Sequence, residues 1–154
     1  MNIRFRGSVV SVICAFLAAS ASAASPISGA ANGAAIGGYD PVAYFTQGKP
    51  QKGSAEFSAE WGGATWLFAS AAHRDRFVQS PEKYAPQYGG YCAYAMSNGG
   101  QAPGDGERWR IVNDRLYLNN NWFAQKLWLD DVPENIRDAD RHWLDVGPKL
   151  RAGE

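Results

Sequence analysis

The sequence has few cysteines and no excess of charge of either sign. Its 154 residues contain two cysteines, Cys14 and Cys92, and 15 basic side chains against 15 acidic ones. Nucleic-acid binding needs a concentrated basic surface, so this balance argues against a nucleic-acid partner. It equally argues against electrostatic attachment to a membrane surface, which requires clustered Lys and Arg.

The sequence signatures of several large enzyme classes are also missing. No G-x-S-x-G, H-E-x-x-H, Walker or dinucleotide-binding motif occurs in the chain. We therefore expect a protein that is not an enzyme. The residue types allow one enzymatic alternative, a Cys92–His73 nucleophile pair. That pair would require the imidazole to lie within hydrogen-bond reach of the thiol.

Residues 1–23 have the pattern of a secretory signal peptide. Two arginines precede an apolar run over residues 9–19, and Ala21-Ser22-Ala23 forms a small-residue cleavage site. The run is short for a membrane span. Ile13, directly before Cys14, does not fit a lipoprotein site, where a small residue is expected. We predict cleavage after Ala23 and a soluble periplasmic or secreted protein without a stable membrane anchor.

Cleavage would leave Cys92 as the single cysteine, so no internal disulfide could form. A leftover thiol in an oxidising compartment is buried, binds a metal, or reacts with an oxidant or a partner protein. Met96 follows four residues later, and side chains at this spacing share a direction in a helix or a strand. Thiolate and thioether ligands suit Cu(I). The two residues therefore form a soft-metal pair or two buried apolar side chains.

The chain predicts one α+β domain. Residues 24–35 are small, polar or glycine-rich and are interpreted as a flexible lead-in, the domain spans 36–146, and 147–154 is a tail. Hairpins are predicted around Gly62-Gly63 and Asn113-Asp114, because such residues suit tight turns. Helices are predicted after Ser70, from Ser80-Pro81, over NWFAQKLWLDD and from Pro133-Glu134.

Aromatic residues are abundant, with six Trp and seven Tyr. The spacing of Trp122, Trp128 and Trp143 is helical, and we expect them to pack in the core. His142 is interpreted as a surface histidine of the last helix. Asp40, before Pro41, is typical of a turn in which the side chain bonds its own backbone. The residues that we consider as a candidate pocket are Tyr39, Asp40, Tyr44, Tyr91 and Tyr94.

Residues 40–84 resemble the metal-associated YHS domain family. The resemblance rests on the order and spacing of Asp40-Pro41-Val42, a hairpin that ends at Phe68, a helix with His73 and Phe77, and Ser80-Pro81-Glu82-Lys83-Tyr84. From Tyr88 onward, the Tyr-Gly-Gly-Tyr-Cys-Ala-Tyr segment and a tryptophan-rich end are similar to exported single-domain members. The resemblance implies a hairpin-plus-helix core, here extended by a second hairpin and C-terminal helices.

The departures from that family affect its metal site. Both positions at which metal-associated members carry cysteine are alanine here, Ala43 and Ala69, and only His73 occupies a ligand-type position. His73 is then a metal ligand, a hydrogen-bonding histidine, or an acid–base group. The first functional hypothesis is an exported copper-handling or copper-sensing module that uses Cys92, His73 and Met96. The alternative is a module that binds a small molecule or an exported partner protein, with a degenerate metal site and Cys92 buried.

The predicted export can be tested on the full-length chain. Expressed in a Gram-negative host, the protein should appear in the periplasmic fraction with Ala24 as its first residue, by intact mass and N-terminal peptide mapping. Replacing Ala21 and Ala23 by Arg should block this processing because the cleavage site needs small residues. A periplasmic protein that still begins at Met1 would contradict the prediction.

Overall fold

The computed structural model describes residues 25–153, so the predicted signal peptide lies outside the described residues. These residues combine helices with two antiparallel hairpins, which confirms the α+β class. The hairpins are β1 (Ser54–Trp61) with β2 (Ala64–Phe68) and β3 (Asp105–Val112) with β4 (Arg115–Asn119). The helices are α1 (Pro41–Thr46), α2 (Ala71–Gln79), α3 (Pro81–Tyr84), α4 (Ala93–Ser97), α5 (Trp122–Asp130) and α6 (Val132–Ala152), with 3-10 turns at Ala30–Asn32, Ala35–Gly38 and Gln87–Gly90.

Both predicted hairpins are confirmed, and each turns through two residues with positive φ. Gly62 and Gly63 have φ of 63° and 77°, and Asn113 and Asp114 have φ of 49° and 59°. Two-residue turns of this kind match the right-handed twist of the flanking strands. Glycine adopts the conformation without strain, and Asn and Asp tolerate it better than other side chains.

Side chains at the helix starts explain where the helices begin. The Ser70 hydroxyl accepts a hydrogen bond from the His73 backbone N–H at 3.2 Å, and the Asn121 side chain accepts from two N–H groups at the start of α5. Asp131 caps α6 in the same way at 3.1 Å. These caps satisfy donors that a helix leaves free at its first turn, so the predicted helices are confirmed. The short apolar piece after Asp40 is also a helix, α1.

Two hydrophobic clusters form the core, and β4 lies between them. The first cluster contains Trp66, Phe68 and Phe77 together with Leu116 and Leu118 of β4. The second contains Tyr88, Met96, Trp128 and Ala139 together with Tyr117 of β4. Successive side chains of a strand point to opposite faces. The alternation along β4 therefore supplies one cluster from each face.

The expected flexible lead-in is wrong for the residues that the structure describes, 25–35. Ile27 and Ala35 are buried, the Ser28 N–H donates to the Gly89 carbonyl at 2.8 Å, and the Ile36 N–H donates to the Ser28 carbonyl at 2.7 Å. Local composition hid this because the segment gains its contacts from Gly89, far away in the sequence. The lead-in is an integral part of the fold.

The predicted tail and part of the predicted tryptophan core also need correction. Helix α6 continues to Ala152 and buries Leu150, so the domain does not end at residue 146. Trp128 is fully buried as expected, whereas Trp122 is 64% exposed because it occupies the first turn of α5 and faces solvent. Trp143 is half-buried. Among the described residues, no helix is long and apolar enough to cross a membrane.

The close approach of the lead-in to Gly89 gives a testable prediction. Gly89 and Gly48 have φ of 61° and 65°, so alanine is strained at both. A Cβ at Gly89 would overlap the Pro26 carbonyl oxygen, whereas a Cβ at Gly48 meets nothing within 4 Å. We expect Gly48→Ala to cost about 1–2 kcal/mol from backbone strain alone. Gly89→Ala should cost at least about 1 kcal/mol more, since the lead-in must move away.

Urea unfolding followed by far-UV circular dichroism measures both free energies under the same conditions. An equal decrease in the free energy of unfolding in the two variants would show that the lead-in does not pack on Gly89.

Candidate functional site

The Asp40 carboxylate is a buried junction between two helices and a strand. One oxygen, Oδ1, accepts hydrogen bonds from the backbone N–H groups of Val42 at 2.9 Å and Ala43 at 3.3 Å. The other, Oδ2, accepts from the N–H of Ala69 at 2.9 Å and lies 2.6 Å from Nδ1 of His73. The expected bonding of Asp40 to its own backbone is confirmed. The same carboxylate also fixes α2 beside α1.

His73 completes a chain of three polar side chains. Its Nδ1 faces Asp40, and its Nε2 lies 3.3 Å from Oγ1 of Thr46, whose hydroxyl is 3.0 Å from the Val42 carbonyl. The His73 side chain is 12% exposed and that of Asp40 is 0% exposed. Because the single hydroxyl proton of Thr46 goes to the Val42 carbonyl, its oxygen faces Nε2 of His73 as an acceptor. Both ring nitrogens of His73 therefore have partners within the fold.

Cys92 is buried and acts as a helix cap. It is 1% exposed, and its Sγ accepts a hydrogen bond from the Ala95 N–H at 3.4 Å at the start of α4. The thiol also lies 3.7 Å from Oδ1 of Asn119, which accepts from the Tyr94 N–H at 3.2 Å. Asn119 is fully buried at the end of β4. The thiol is therefore part of the bonding that joins α4 to β4.

The three predicted copper ligands have separate partners. Met96 is fully buried in the second hydrophobic cluster, Cys92 bonds at the start of α4, and His73 bonds to Asp40. Within residues 25–153, no three His, Cys, Asp or Glu side chains are grouped so that they could hold a metal ion. In this geometry, a shared copper ion would require these side chains to leave their present partners.

The tyrosines of the candidate pocket are tied to fixed partners in the fold. The Tyr39 hydroxyl donates to Glu107 at 2.8 Å, and burial together with this bond raises the pKa of Tyr39 to about 12. The Tyr44 hydroxyl donates to the Gly106 carbonyl at 2.8 Å, and burial raises the pKa of Tyr44 as well. The Tyr91 hydroxyl donates to the Ser25 carbonyl at 3.1 Å. Tyr94 is half-buried and contributes its backbone.

A cleft of about 830 Å³ lies elsewhere and is lined by residues of both hairpin turns. Gly62 and Asp114, one from each turn, are part of its wall, and none of the five candidate-pocket residues is. Aromatic side chains and cations from separate elements line it, namely Trp61, Tyr88, Trp143, Lys83, Arg115 and Arg151. This combination of flat apolar surface and a few charged groups is typical of small-molecule sites.

Tyr88 links the cleft to the second hydrophobic cluster. Its backbone has φ of 56° and ψ of 34°, a left-handed conformation that is costly for a bulky side chain. The hydroxyl donates to Oδ1 of Asp140 at 2.8 Å, and the ring packs 6.1 Å from that of Trp143. Burial, followed by the bond to Asp140, raises the pKa of Tyr88. The bond to Asp140 and the contact with Trp143 together hold the Tyr88 ring in position.

The cations of the cleft form no ion pair with a carboxylate among residues 25–153. Four ion pairs occur within residues 25–153, and none includes Lys83, Arg115 or Arg151. Two carboxylates, Glu82 and Asp114, also line the cleft without pairing with these cations. The cleft therefore carries three positive and two negative side chains.

Sequence reasoning missed the cleft because its residues come from five distant parts of the chain. A usable signal was present, since Trp61 precedes Gly62-Gly63 and Arg115 follows Asn113-Asp114. Trp61 and Arg115 indicate one shared site only if the two hairpin turns lie close together in the folded protein. That placement is a property of the tertiary structure.

Comparisons with protein-family models, with curated proteins and with solved structures found no match for this chain.

The bonding of Asp40 predicts a large loss of stability for Asp40→Asn. The amide can still accept from Val42, but its NH₂ group would face the Ala69 N–H or His73. Buried hydrogen bonds to a charged group contribute about 1.5–3 kcal/mol each, so we expect a loss of about 2–4 kcal/mol in the free energy of unfolding. Chemical denaturation at neutral pH measures it.

Asp75→Asn is the matched control, because Asp75 is exposed and pairs with the adjacent Arg74. Exposed ion pairs contribute little to stability, so the denaturation midpoint of Asp75→Asn should stay close to that of the parent protein. An Asp40→Asn midpoint as close to the parent value as that of Asp75→Asn would contradict the role of Asp40.

Proposed function

We propose that the chain is an exported, non-enzymatic module that binds a small organic molecule in the cleft between the two hairpin turns. The cleft itself is the observation that carries the proposal. Its volume of about 830 Å³ falls within the range of about 300–1,000 Å³ that is usual for ligand sites. Export and the resemblance to YHS domains belong to the proposal as predictions from the sequence.

The aromatic walls of the cleft support binding because they are already fixed. The Trp61 ring packs 6.0 Å from Trp66 and 5.8 Å from Phe77, both fully buried. Trp143, which also lines the cleft, packs 6.1 Å from Tyr88. Trp61 and Trp143 stay half-buried, so each has surface left to cover. Preformed walls spare a ligand the entropy cost of ordering them.

The polar groups of the cleft favour binding over catalysis. Asp40, His73 and Thr46, which are hydrogen-bonded to one another in series, do not line it. Cys92, the thiol of the enzymatic alternative, bonds to Asn119 and Ala95 and also lies outside its lining. A nucleophile within reach of a base is the minimum for covalent catalysis. The one pair that the sequence offers for this role, Cys92 and His73, does not line the cleft.

Copper handling through Cys92, His73 and Met96 stays a prediction of the sequence. The cleft is the better-supported site because its lining residues already face one space, whereas the three soft-metal candidates have separate partners. An exported partner protein is the remaining alternative.

The proposal predicts saturable binding of a neutral aromatic probe. N-phenyl-1-naphthylamine, whose fluorescence rises in apolar surroundings, should bind the mature protein with one probe molecule per protein molecule. Trp143→Ala should weaken this binding about tenfold or more, because it removes one aromatic wall. Trp122→Ala is the matched control, since Trp122 is exposed and lies outside the cleft lining. It should bind the probe as the parent protein does.

Thermal melts by circular dichroism must show that both variants are folded at the assay temperature. The proposal fails if the parent protein shows no saturable fluorescence rise, or if folded Trp143→Ala and Trp122→Ala bind equally.

A further inference from the structure

We infer that the cleft selects an organic anion with a flat aromatic body, whose negative group is held by Arg115 and Arg151. This inference rests on the proposed function, since it concerns the ligand of the same cleft. It depends on where the cations sit, on the absence of ion pairs between them and the carboxylates of residues 25–153, and on the aromatic surface beside them.

Arg115 carries the first step. It opens β4 directly after the hairpin turn and lines the cleft. Its guanidinium lies near the hydroxyls of Tyr117 and Tyr88. Burial raises the pKa of both tyrosines, and the positive charge of Arg115 partly offsets this rise. Asp140 accepts from the Tyr88 hydroxyl at 2.8 Å, so these buried hydroxyls lie near both Asp140 and Arg115. No carboxylate lies within ion-pair distance of it in the described part of the chain.

A guanidinium in that position favours a planar anion. Its donors form a rigid fork that matches the two oxygens of a carboxylate, or those of a sulfonate or phosphate. Arg115 and Arg151 are exposed, so the attraction acts through water and weakens with salt. A bound anion would give Arg115 an ion-pair partner, which it does not have among residues 25–153.

Arg151 and Lys83 reinforce the same selection from other walls. Arg151 belongs to the last turn of α6, and Lys83 belongs to α3. With Arg115, three separate elements thus place positive charge around one cleft. Glu82 and Asp114 reduce the net charge but do not reverse it. The remaining positive charge disfavours cationic ligands.

The aromatic rings define the body of the ligand. Trp61 and Trp143 are half-buried and present flat surface in the same cleft, next to Tyr88, which is buried. Flat rings stack well against aromatic ligands, and arginine also stacks on aromatic faces. An aromatic acid satisfies both features together, because its ring meets the walls while its acid group meets the arginines.

Three probes with one ring system separate charge from shape. We expect 2-naphthoate to bind the mature protein about tenfold more tightly than neutral 2-naphthylmethanol, and 2-naphthylmethylamine to bind weakest, by isothermal titration calorimetry. Raising the salt concentration should weaken naphthoate binding and leave the alcohol nearly unaffected, because salt screens charge interactions.

The variants Arg115→Gln and Arg151→Gln test the assignment. Each should reduce naphthoate affinity about fivefold or more while leaving the alcohol unchanged. Arg74→Gln is the control, since Arg74 pairs with Asp75 on α2 and does not line the cleft. It should change neither affinity.

The outcomes distinguish the inference from the proposed function. Alcohol binding as tight as naphthoate binding would overturn the inference and leave a ligand-binding cleft in place. Naphthoate binding that is unaffected by both arginine substitutions would also overturn the inference. Failure of all three naphthyl probes, and of N-phenyl-1-naphthylamine, would overturn both.

Discussion

The burial of β4 on both faces is the constraint on which the rest of the structure depends. Leu116 and Leu118 pack into one hydrophobic cluster, Tyr117 packs into the other, and Asn119 is fully buried at the strand end. A shift of one residue would exchange the faces and put Tyr117 among the side chains of the first cluster. The register of β4 is therefore fixed by both clusters at once, and the Asn113-Asp114 turn fixes where the strand begins.

Two functional features follow from that fixed register. At its first residue, β4 places Arg115 in the cleft, and at its last it places Asn119 beside the thiol of Cys92 and the N–H of Tyr94. The same strand thus connects the charged wall of the cleft to the start of α4. Ser28, bonded to Gly89, holds the segment that forms another wall of the cleft. Two walls of the cleft are thus positioned by contacts between distant parts of the chain.

The sequence predicts the elements of this fold better than its candidate site. The hairpins and capped helices follow from local signals. Glycines permit the positive φ of the turns, and a serine at a helix start accepts a hydrogen bond from the N–H three residues later. The packing of residues 25–35 and the exposure of Trp122 depend on contacts with distant residues, and local patterns do not carry that information. The pairing of Asp40 with His73 spans 33 residues in sequence and becomes visible only once α1 and α2 lie side by side.

The ionisable groups have different surroundings, and this suggests different tasks. Asp40 has its four hydrogen bonds filled by backbone and imidazole groups, so its charge is satisfied within the fold. Arg115 lines a cleft and pairs with no carboxylate among residues 25–153. A buried charge that already has its partners contributes mainly to structure, whereas a charge beside aromatic surface without a partner gains more from a ligand of opposite charge. The contrast between these two residues is the physical reason to look for function in the cleft and for stability in the Asp40–His73 pair.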